Sequence, residues 1–374
     1  MQGAERQEPA ERPVASARAL RGRDRPDLAA SLLEREANLA DLKADLLYLR
    51  LLVELDDHAA LQAALQRSIQ RLPDRAQLPP AYVKLLCRQA LTACDDVWLE
   101  QLARKAWKTC KADPELRTAH RALGRRLLIR TQMRASAPPR ASLISLGMNC
   151  MPWDIPSRWG LRGPEDFCDL RTPFDSGAHR LPLVIEALED DFATYCSPEV
   201  LRSVETGGGH LAPMRKDVRA VWNHHSGGYW ISDGFRRLRE SVADKIEAFR
   251  KGCRRADAVF MISHVNLGYP ARPLDFLDRL NEGLKRFTGD ARNRLVFINE
   301  YAEATATRWA DDWTVILDRP FPHPDYVWYD EATTDSAVGL QYEQEIVAGM
   351  MAALSRWGLI SAGAPAEAPL SVPA

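Results

Sequence analysis

The sequence lacks paired cysteines, long apolar runs and an excess of charge of either sign. Its seven cysteines are odd in number, irregularly spaced and without a C-x-x-C pair, so neither a disulfide framework nor a structural zinc site is expected. No stretch approaches the roughly 18 apolar residues that a membrane span requires. The formal net charge is -1, so there is no overall basic field to bind a nucleic acid.

Nucleotide-binding and metal-binding motifs are also missing. Gly207-Gly-Gly209 lacks the G-x-x-x-x-G-K-[ST] context, and no G-x-G-x-x-G follows a predicted strand. The histidines have no recognised metal-ligand spacing, so we predict no metal and no cofactor. Residues 1–26 contain no apolar segment of the kind that a secretory signal needs. Together with the missing membrane span, this indicates a cytoplasmic protein.

A chain of 374 residues is long enough for two domains, each with its own core. Composition and periodicity divide it into a disordered segment, a helical module, a linker, an α/β domain and a loose tail, at 1–26, 27–134, 135–140, 141–360 and 361–374.

In the helical module apolar residues recur at spacings of three and four over 42–55, as one buried helix face requires. Similar runs follow at about 58–72, 80–93, 97–111 and 115–131. The pairs Asp56-Asp57 and Asp95-Asp96 lie about 40 residues apart and each opens a helix, which resembles a degenerate tetratricopeptide-like repeat. A plain helical bundle fits the pattern equally well. Because repeat arrays mostly serve protein contacts, the module is a possible site for a protein partner.

From residue 141 the chain alternates short apolar runs with amphipathic stretches. The runs at 141–146, 257–263, 294–299 and 313–317 predict buried strands, and the stretches at about 182–191, 234–252, 273–288 and 338–357 predict helices. This alternation predicts an α/β fold, with a mainly parallel sheet and helices on both of its faces.

Cys150 follows the first of these strands, at the end of Gly147-Met-Asn-Cys150. Ligands of open α/β sheets bind beyond the carboxyl ends of the strands. Pro152 favours a helix start, and a helix N-terminus would lower the pKa of the thiol. Gly147 would let the backbone turn sharply, and nearby N–H groups could form an oxyanion hole. The alternative is that Cys150 merely packs at the end of a strand.

Three blocks of the sequence resemble a known family. They are Ser145-Leu-Gly-Met-Asn-Cys150, Arg158-Trp-Gly-Leu-Arg162 and Thr172-Pro-Phe-Asp-Ser-Gly177. Together they are similar to the signature of a bacterial family of unknown function described as papain-like cysteine peptidases. The resemblance covers about 142–300.

The resemblance implies that Cys150 is a nucleophile, that His224 or His225 is its base, and that Asp175 orients the base. Two residues depart from the family pattern, since Ser176 stands where a Trp is usual and His225 where an Asp often follows the His. A nucleophile after a strand and a tight turn is equally typical of esterase-type hydrolases. The location of the site is therefore a firmer prediction than its reaction.

Residues that could bind a substrate lie near the nucleophile and in the loop that carries the histidines. Asn149 and Gly147 belong to the nucleophile turn, while Trp222 and Trp230 flank the two histidines and are suited to stacking on a sugar. A basic helix follows, in which Arg236 and Arg237 could hold an anionic substrate; a solvated face is the alternative.

Two further histidines are rivals for the role of base. His264 follows the second strand, and His323 could pair with Asp318 after the last one.

Two functions from different classes fit this sequence. The first is a cysteine-dependent hydrolase or acyl transferase acting on an unknown substrate. The second is a non-catalytic protein that binds a glycan or a partner, or an esterase-like fold acting in polysaccharide metabolism.

Overall fold

The computed structural model describes residues 12–73, 77–136, 141–175, 177–206, 210–263, 273–328 and 330–360. Its first part is entirely helical, with helices α1 (Arg12–Arg21), α2 (Pro26–Glu36), α3 (Leu42–Glu54), α4 (His58–Arg71), α5 (Pro80–Ala93), α6 (Asp96–Ala112) and α7 (Pro114–Ser136). Five of these helices were predicted from periodicity, within a few residues at each end.

Aspartates explain where two of the helices begin. The Asp57 carboxylate accepts a hydrogen bond from the N–H of Ala60 at 3.0 Å, and Asp95 caps α6 by accepting from Trp98 at 3.1 Å. Both satisfy backbone donors that have no partner inside the helix. In the first pair the cap uses Asp57, so the Asp56 side chain has other contacts.

Helix α1 corrects the prediction that residues 1–26 are disordered. Val14 and Ala17 are buried on one face of this helix, which packs on α2. The surrounding charged residues hide this short apolar stripe in the sequence. Residues 1–11, most of the predicted linker and the tail from 361 onward lie outside the described residues.

The second part of the chain mixes strands and helices. In chain order these are β1 (Ser142–Ser145), α8 (Met151–Arg158), α9 (Asp166–Asp169), β2 (Ala178–His179), α10 (Leu181–Glu189), β3 (Leu201–Glu205), β4 (Leu211–Arg215), β5 (Ala220–Val221), α11 (Gly228–Ile231), α12 (Arg236–Cys253), β6 (Ala258–Ser263), α13 (Pro273–Thr288), β7 (Arg294–Asn299), β8 (Ala306–Trp309), β9 (Thr314–Asp318), α14 (Glu331–Thr334) and α15 (Ala337–Arg356). Short 3-10 turns occur at Pro198–Val200 and Asn223–His225.

The main sheet has the strand order β1-β6-β7-β9-β8, in which β8 alone is antiparallel to its neighbour. The prediction of a mostly parallel sheet preceded by helices is confirmed, and its four parallel strands are those expected from the sequence. A second, antiparallel sheet with the order β2-β5-β4-β3 was not predicted. Two of its four strands have only two residues, too few for an apolar alternation to be visible.

Alternate strand residues enter two separate cores. Ile144, Phe260 and Phe297 pack with α10, α12 and α13, whereas Leu143 and Val296 pack with α7, α8 and α15. Apolar residues on both sides of the strands are what continuous hydrophobic runs require. In the described part of the chain, no helix is both long enough and apolar enough to cross a membrane.

The helical part and the α/β part are packed together rather than merely joined. Helix α7 contributes Leu116 and Leu123 to the core of the N-terminal helices and Ile129 to the core beneath the sheet. In the other direction, Trp153 and Phe167 of the α/β part lie in the N-terminal core. The α3–α4 turn is thereby placed beside the loops at one end of the sheet.

A buried ionic cluster reinforces this packing. The Glu343 carboxylate on α15 accepts hydrogen bonds from Arg126 of α7 at 3.0 Å, from Arg158 of α8 at 2.9 Å and from Trp159 Nε1 at 2.7 Å. Burial raises the pKa of Glu343, but the two guanidiniums outweigh it and hold the pKa below its ordinary value. The carboxylate therefore stays charged and links three helices.

Replacing Glu343 by alanine is expected to lower the free energy of unfolding by about 3–5 kcal/mol, because two largely buried guanidiniums lose their shared anion. Urea denaturation followed by tryptophan fluorescence measures the loss. Glu282→Ala is the matched control; it removes an exposed partner of Lys285 and is expected to cost less than about 1 kcal/mol. Equal losses in the two variants would show that the cluster does not hold the helices.

Candidate active site

A strained turn carries Cys150 from the end of β1 to the start of α8. Gly147 and Met148 both have positive φ, 73° and 70°. A Cβ on Gly147 would lie 2.7 Å from both the Cβ and the carbonyl oxygen of Phe174, so only glycine fits. The chain thus reverses within a few residues and leaves the half-buried Cys150 at the N-terminus of α8. Gly147 has a backbone role, as the sequence predicted.

Asn149 stabilises this turn and is not free to bind a substrate. Its Oδ1 accepts hydrogen bonds from Ser263 Oγ at 2.5 Å and from the N–H of Met151 at 2.9 Å, while its Nδ2 donates to Glu300 Oε1 at 3.1 Å. The prediction that Asn149 binds ligand is therefore corrected, because its amide ties together the ends of β1, β6 and β7. The N–H groups of Gly147 and Met151 are likewise bonded inside the turn, so they are not ready oxyanion donors.

The Cys150 sulfur faces an imidazole. Its Sγ lies 3.3 Å from Nε2 of His224, which is within the distance over which a thiol can pass its proton to a base. His224 belongs to the 3-10 turn Asn223–His225 and is more exposed than the thiol. Of the two histidines that the sequence left open, His224 is therefore the one in contact with the sulfur.

His225 points the other way, into the protein. It is fully buried, and its Nε2 lies 3.1 Å from Ser241 Oγ and 3.2 Å from Asp56 Oδ2. Adjacent residues in a tight turn diverge in this way, so one faces the thiol and the other anchors the turn.

Asp56 lies in contact with the histidine turn, which the sequence did not indicate. Its carboxylate lies 2.9 Å from His58 Nε2, contacts Nζ of Lys245 directly and reaches His225 from the end of α3. Burial raises the pKa of Asp56, but Lys245 and the two histidines outweigh it and hold the pKa well below its ordinary value. In the sequence the pair Asp56-Asp57 indicates only the start of a helix. Nothing in the sequence indicates that Asp56 contacts a loop far along the chain.

Asp175 does not orient either histidine. Its buried Oδ2 accepts a hydrogen bond from the N–H of Thr172 at 2.7 Å, and its Oδ1 has no hydrogen-bond partner among the described residues. Burial raises the pKa of this carboxyl. The predicted orienting role is therefore corrected: Asp175 closes a turn beneath the site. Ser176 lies outside the described residues.

The electrostatics of the Cys150–His224 pair reverse another expectation. Burial, followed by the nearby Asp154 carboxylate, raises the pKa of the Cys150 thiol to about 12. The expectation that the helix N-terminus lowers the pKa of this thiol is wrong, because desolvation disfavours the thiolate more strongly. The protein around its ring and the Arg171 guanidinium lower the pKa of His224. Both partners are therefore neutral near pH 7, and His224 is free to accept a proton.

The two tryptophans of the histidine loop are packed inside the protein. Trp222 is buried; its ring centroid lies 5.6 Å from that of Tyr195 and 5.8 Å from that of His179. The Nε1 of buried Trp230 donates to the carbonyl oxygen of Glu54 at 3.1 Å. The prediction that they stack on a ligand is corrected, because neither ring has an open face.

The arginines at the start of the basic helix α12 have partners of their own. Arg236 is exposed and pairs with Glu240 at 2.8 Å, and Arg237 lies over the ring of Tyr229 at 4.4 Å. In the part of the chain that the structure describes, neither side chain pairs with Cys150 or His224. Their predicted role in binding substrate at this site is therefore replaced by that of a surface ionic cluster.

The rival bases are not at the site either. His264 lies outside the described residues. His323 is exposed and packs on Tyr326, whereas Asp318 accepts from Asn299 Nδ2 at 2.7 Å and contacts Arg308. The predicted Asp318–His323 pair is therefore absent.

Two cavities lie in this region; the second is lined by His224, the first by no residue of the histidine turn, and neither by Cys150. One, of about 410 Å³, is bounded by Asp56, His58, Arg171 and Lys245. The other, of about 670 Å³, runs between α1, α3 and the loop that carries His224. Among the described residues, no group of three or more His, Cys, Asp or Glu side chains is arranged to hold a metal ion.

Comparison with known proteins adds no assignment. No protein-family model matches the chain, no curated protein is significantly similar to it, and no solved structure matches its fold. The chemistry of the site therefore has to be argued from its own geometry.

The Cys150 thiol is expected to stay protonated from about pH 6 to about pH 9, because a pKa raised by burial means that thiolate forms only at higher pH. A pH titration of the ultraviolet thiolate absorbance checks this. The absorbance of Cys150→Ser is subtracted from that of the wild type, so that the difference reports Cys150. Cys168→Ser, which removes another half-buried thiol, is the control. A step in the Cys150 difference below about pH 8.5, the ordinary thiol value, would contradict the assignment.

Proposed function

We propose that the protein is a cysteine-dependent hydrolase or acyl transferase in which Cys150 is the nucleophile and His224 the general base. The 3.3 Å contact between Sγ and Nε2 carries the proposal. The turn geometry adds support, because Gly147 and Asn149 hold the thiol at the carboxyl end of a parallel strand, where α/β proteins place their ligands.

A neutral pair fixes the order of events. The sulfur attacks the acyl carbonyl carbon while its proton moves to Nε2 of His224, and the carbonyl π electrons move to oxygen. When the tetrahedral intermediate collapses, the leaving group takes the proton from Nε2 and a thioester remains on Cys150. Water or another nucleophile then attacks the thioester, with His224 accepting its proton and returning one to Sγ. General-base assistance of this kind contributes about 10²–10⁴-fold in rate.

Two classes of acyl substrate fit the proposal, and different observations favour them. The resemblance to papain-like peptidases rests on the blocks that hold Cys150 and Asp175, and it suggests amide substrates. The strand, turn and helix around the nucleophile are instead typical of esterase-type hydrolases, which suggests esters or thioesters. We favour the second class, because Asp175 has no contact with His224 of the kind that an orienting residue makes.

The second hypothesis, a non-catalytic glycan-binding loop, loses its main support. It depended on open aromatic faces at Trp222 and Trp230, and both side chains are buried. A sugar-stacking platform needs at least one exposed ring.

The test is acyl-enzyme formation with p-nitrophenyl acetate. The wild type is expected to release p-nitrophenol and to carry an acetyl group on Cys150, located by mass spectrometry of peptides. Cys150→Ala is expected to lose the adduct, and His224→Ala to form it about 10²-fold or more slowly, since the neutral thiol then has no base.

Matched controls are His323→Ala, an exposed histidine away from the thiol, and Cys168→Ala, another half-buried cysteine. Both are expected to behave as the wild type. Acetylation spread over several cysteines, or unchanged in His224→Ala, would overturn the proposal.

A further inference from the structure

We propose that Asp56, which comes from the N-terminal helices, is a positioning residue that holds the His224–His225 turn against Cys150. This rests on the proposed function, since it concerns the same base. The helical region would then be part of the catalytic unit and not only a possible site for a partner.

The first support is the way Asp56 is built into the structure. It follows α3 with a φ of 57°, in the left-handed region, and the cap of α4 is made by its neighbour Asp57. Its Oδ2 lies 3.2 Å from His225 Nε2, and Lys245 neutralises its charge by direct contact. The Asp56 side chain is largely buried, and with His58 as its third partner the buried carboxylate holds its geometry firmly.

The second support is that His225 and His224 share one turn. His225 donates its N–H to the carbonyl oxygen of Trp222 at 3.1 Å and closes the 3-10 turn Asn223–His225. Fixing the His225 side chain therefore fixes the backbone from which His224 projects. Gly227, with a φ of 102°, follows Ser226, and its N–H donates to the carbonyl oxygen of Leu211 at 2.7 Å.

A second contact from the end of α3 also holds this loop. Trp230 Nε1 donates to the carbonyl oxygen of Glu54, two residues before Asp56, and its ring meets His225 edge-on at 4.4 Å. The end of α3 thus holds the loop at two points on either side of Gly227. A displacement of about 1 Å in a base can cost about 10²-fold in rate.

The test compares Asp56→Asn with Asp175→Asn by the rate and pH profile of iodoacetamide alkylation at Cys150. In the wild type the rate should level off once His224 is deprotonated, since the neutral imidazole takes the proton. Asp56→Asn is expected to react about 10- to 100-fold more slowly near pH 7 and to lose that plateau. Asp56→Glu is expected to restore part of the rate and part of the plateau. Asp175→Asn is expected to keep the plateau.

Because Asp56→Asn leaves Lys245 buried without its anion, the double variant Asp56→Asn/Lys245→Met guards against misfolding. Circular dichroism establishes that it folds. A folded double variant with the wild-type rate and plateau would overturn the positioning role. If His224→Ala also keeps the plateau, the proposed function itself fails, so the two failures are distinguishable.

The groove beside His224, which Cys150 does not line, carries a second inference about the substrate, and this inference also rests on the proposed function. Arg18, Arg21 and Arg50 line it, opposed by the two carboxylates of Asp24 and Glu54. Glu54 is already paired with Arg21 at 2.7 Å. Within the described ranges, no carboxylate lies within ion-pair distance of Arg18 or Arg50. The wall of the groove is therefore net positive next to the proposed base.

We infer that the site prefers acyl substrates that carry a carboxylate or another anionic group. A positive groove raises the local concentration of anions, and this effect weakens as salt screens it. Arg18 lies on α1 and Arg50 on α3, so this preference also comes from the N-terminal helices.

Iodoacetate and iodoacetamide form a matched pair of probes, since they deliver almost the same group with and without a negative charge. The rate with iodoacetate divided by the rate with iodoacetamide is expected to be larger at Cys150 than for free cysteine. This ratio is expected to fall as the salt concentration is raised. Arg18→Glu/Arg50→Glu is expected to lower the ratio of the iodoacetate rate to the iodoacetamide rate about tenfold. Arg117→Glu, an exposed residue that does not line the groove, is the control. A ratio equal to that of free cysteine and insensitive to Arg18→Glu/Arg50→Glu would overturn the inference.

Discussion

The contact between Asp56 and His225 is the constraint on which the rest of the site depends. It joins the end of a helix in the first part of the chain to a loop that follows the small antiparallel sheet. Lys245 from α12 completes the cluster, so three segments that are distant in sequence meet at one buried carboxylate. Burying a carboxylate costs free energy unless it is paired. That cost favours a single arrangement of the three segments.

Cys150, the proposed nucleophile, has its own, separate support. Gly147 allows the reversal after β1, and the Asn149 amide then ties the turn to Ser263 and Glu300 at the ends of β6 and β7. Cys150 is thus fixed by the sheet, while His224 is fixed by the helices and the loop. The thiol and the imidazole are held by different parts of the fold, so they meet only when both parts are packed together. The proposed chemistry therefore depends on the folding of both parts.

A neutral thiol beside a neutral imidazole differs from the ion pair that the resemblance to papain-like peptidases would suggest. Desolvation raises the pKa of Cys150 and, with Arg171 nearby, lowers the pKa of His224. Such a pair resembles a serine and its histidine, in which the base acts only as attack proceeds.

The sequence by itself determined most of the local structure: the long helices from 42 onward, the four parallel strands and the turn that ends at Cys150. Periodicity, capping aspartates and glycine conformation act over a few residues, so they can be read directly from the chain. Only the tertiary structure decided which histidine meets the sulfur, that Asp175 orients neither, and that Asp56 does contact the histidine turn. Those choices depend on burial and on contacts between distant segments, and no local pattern of residues carries that information.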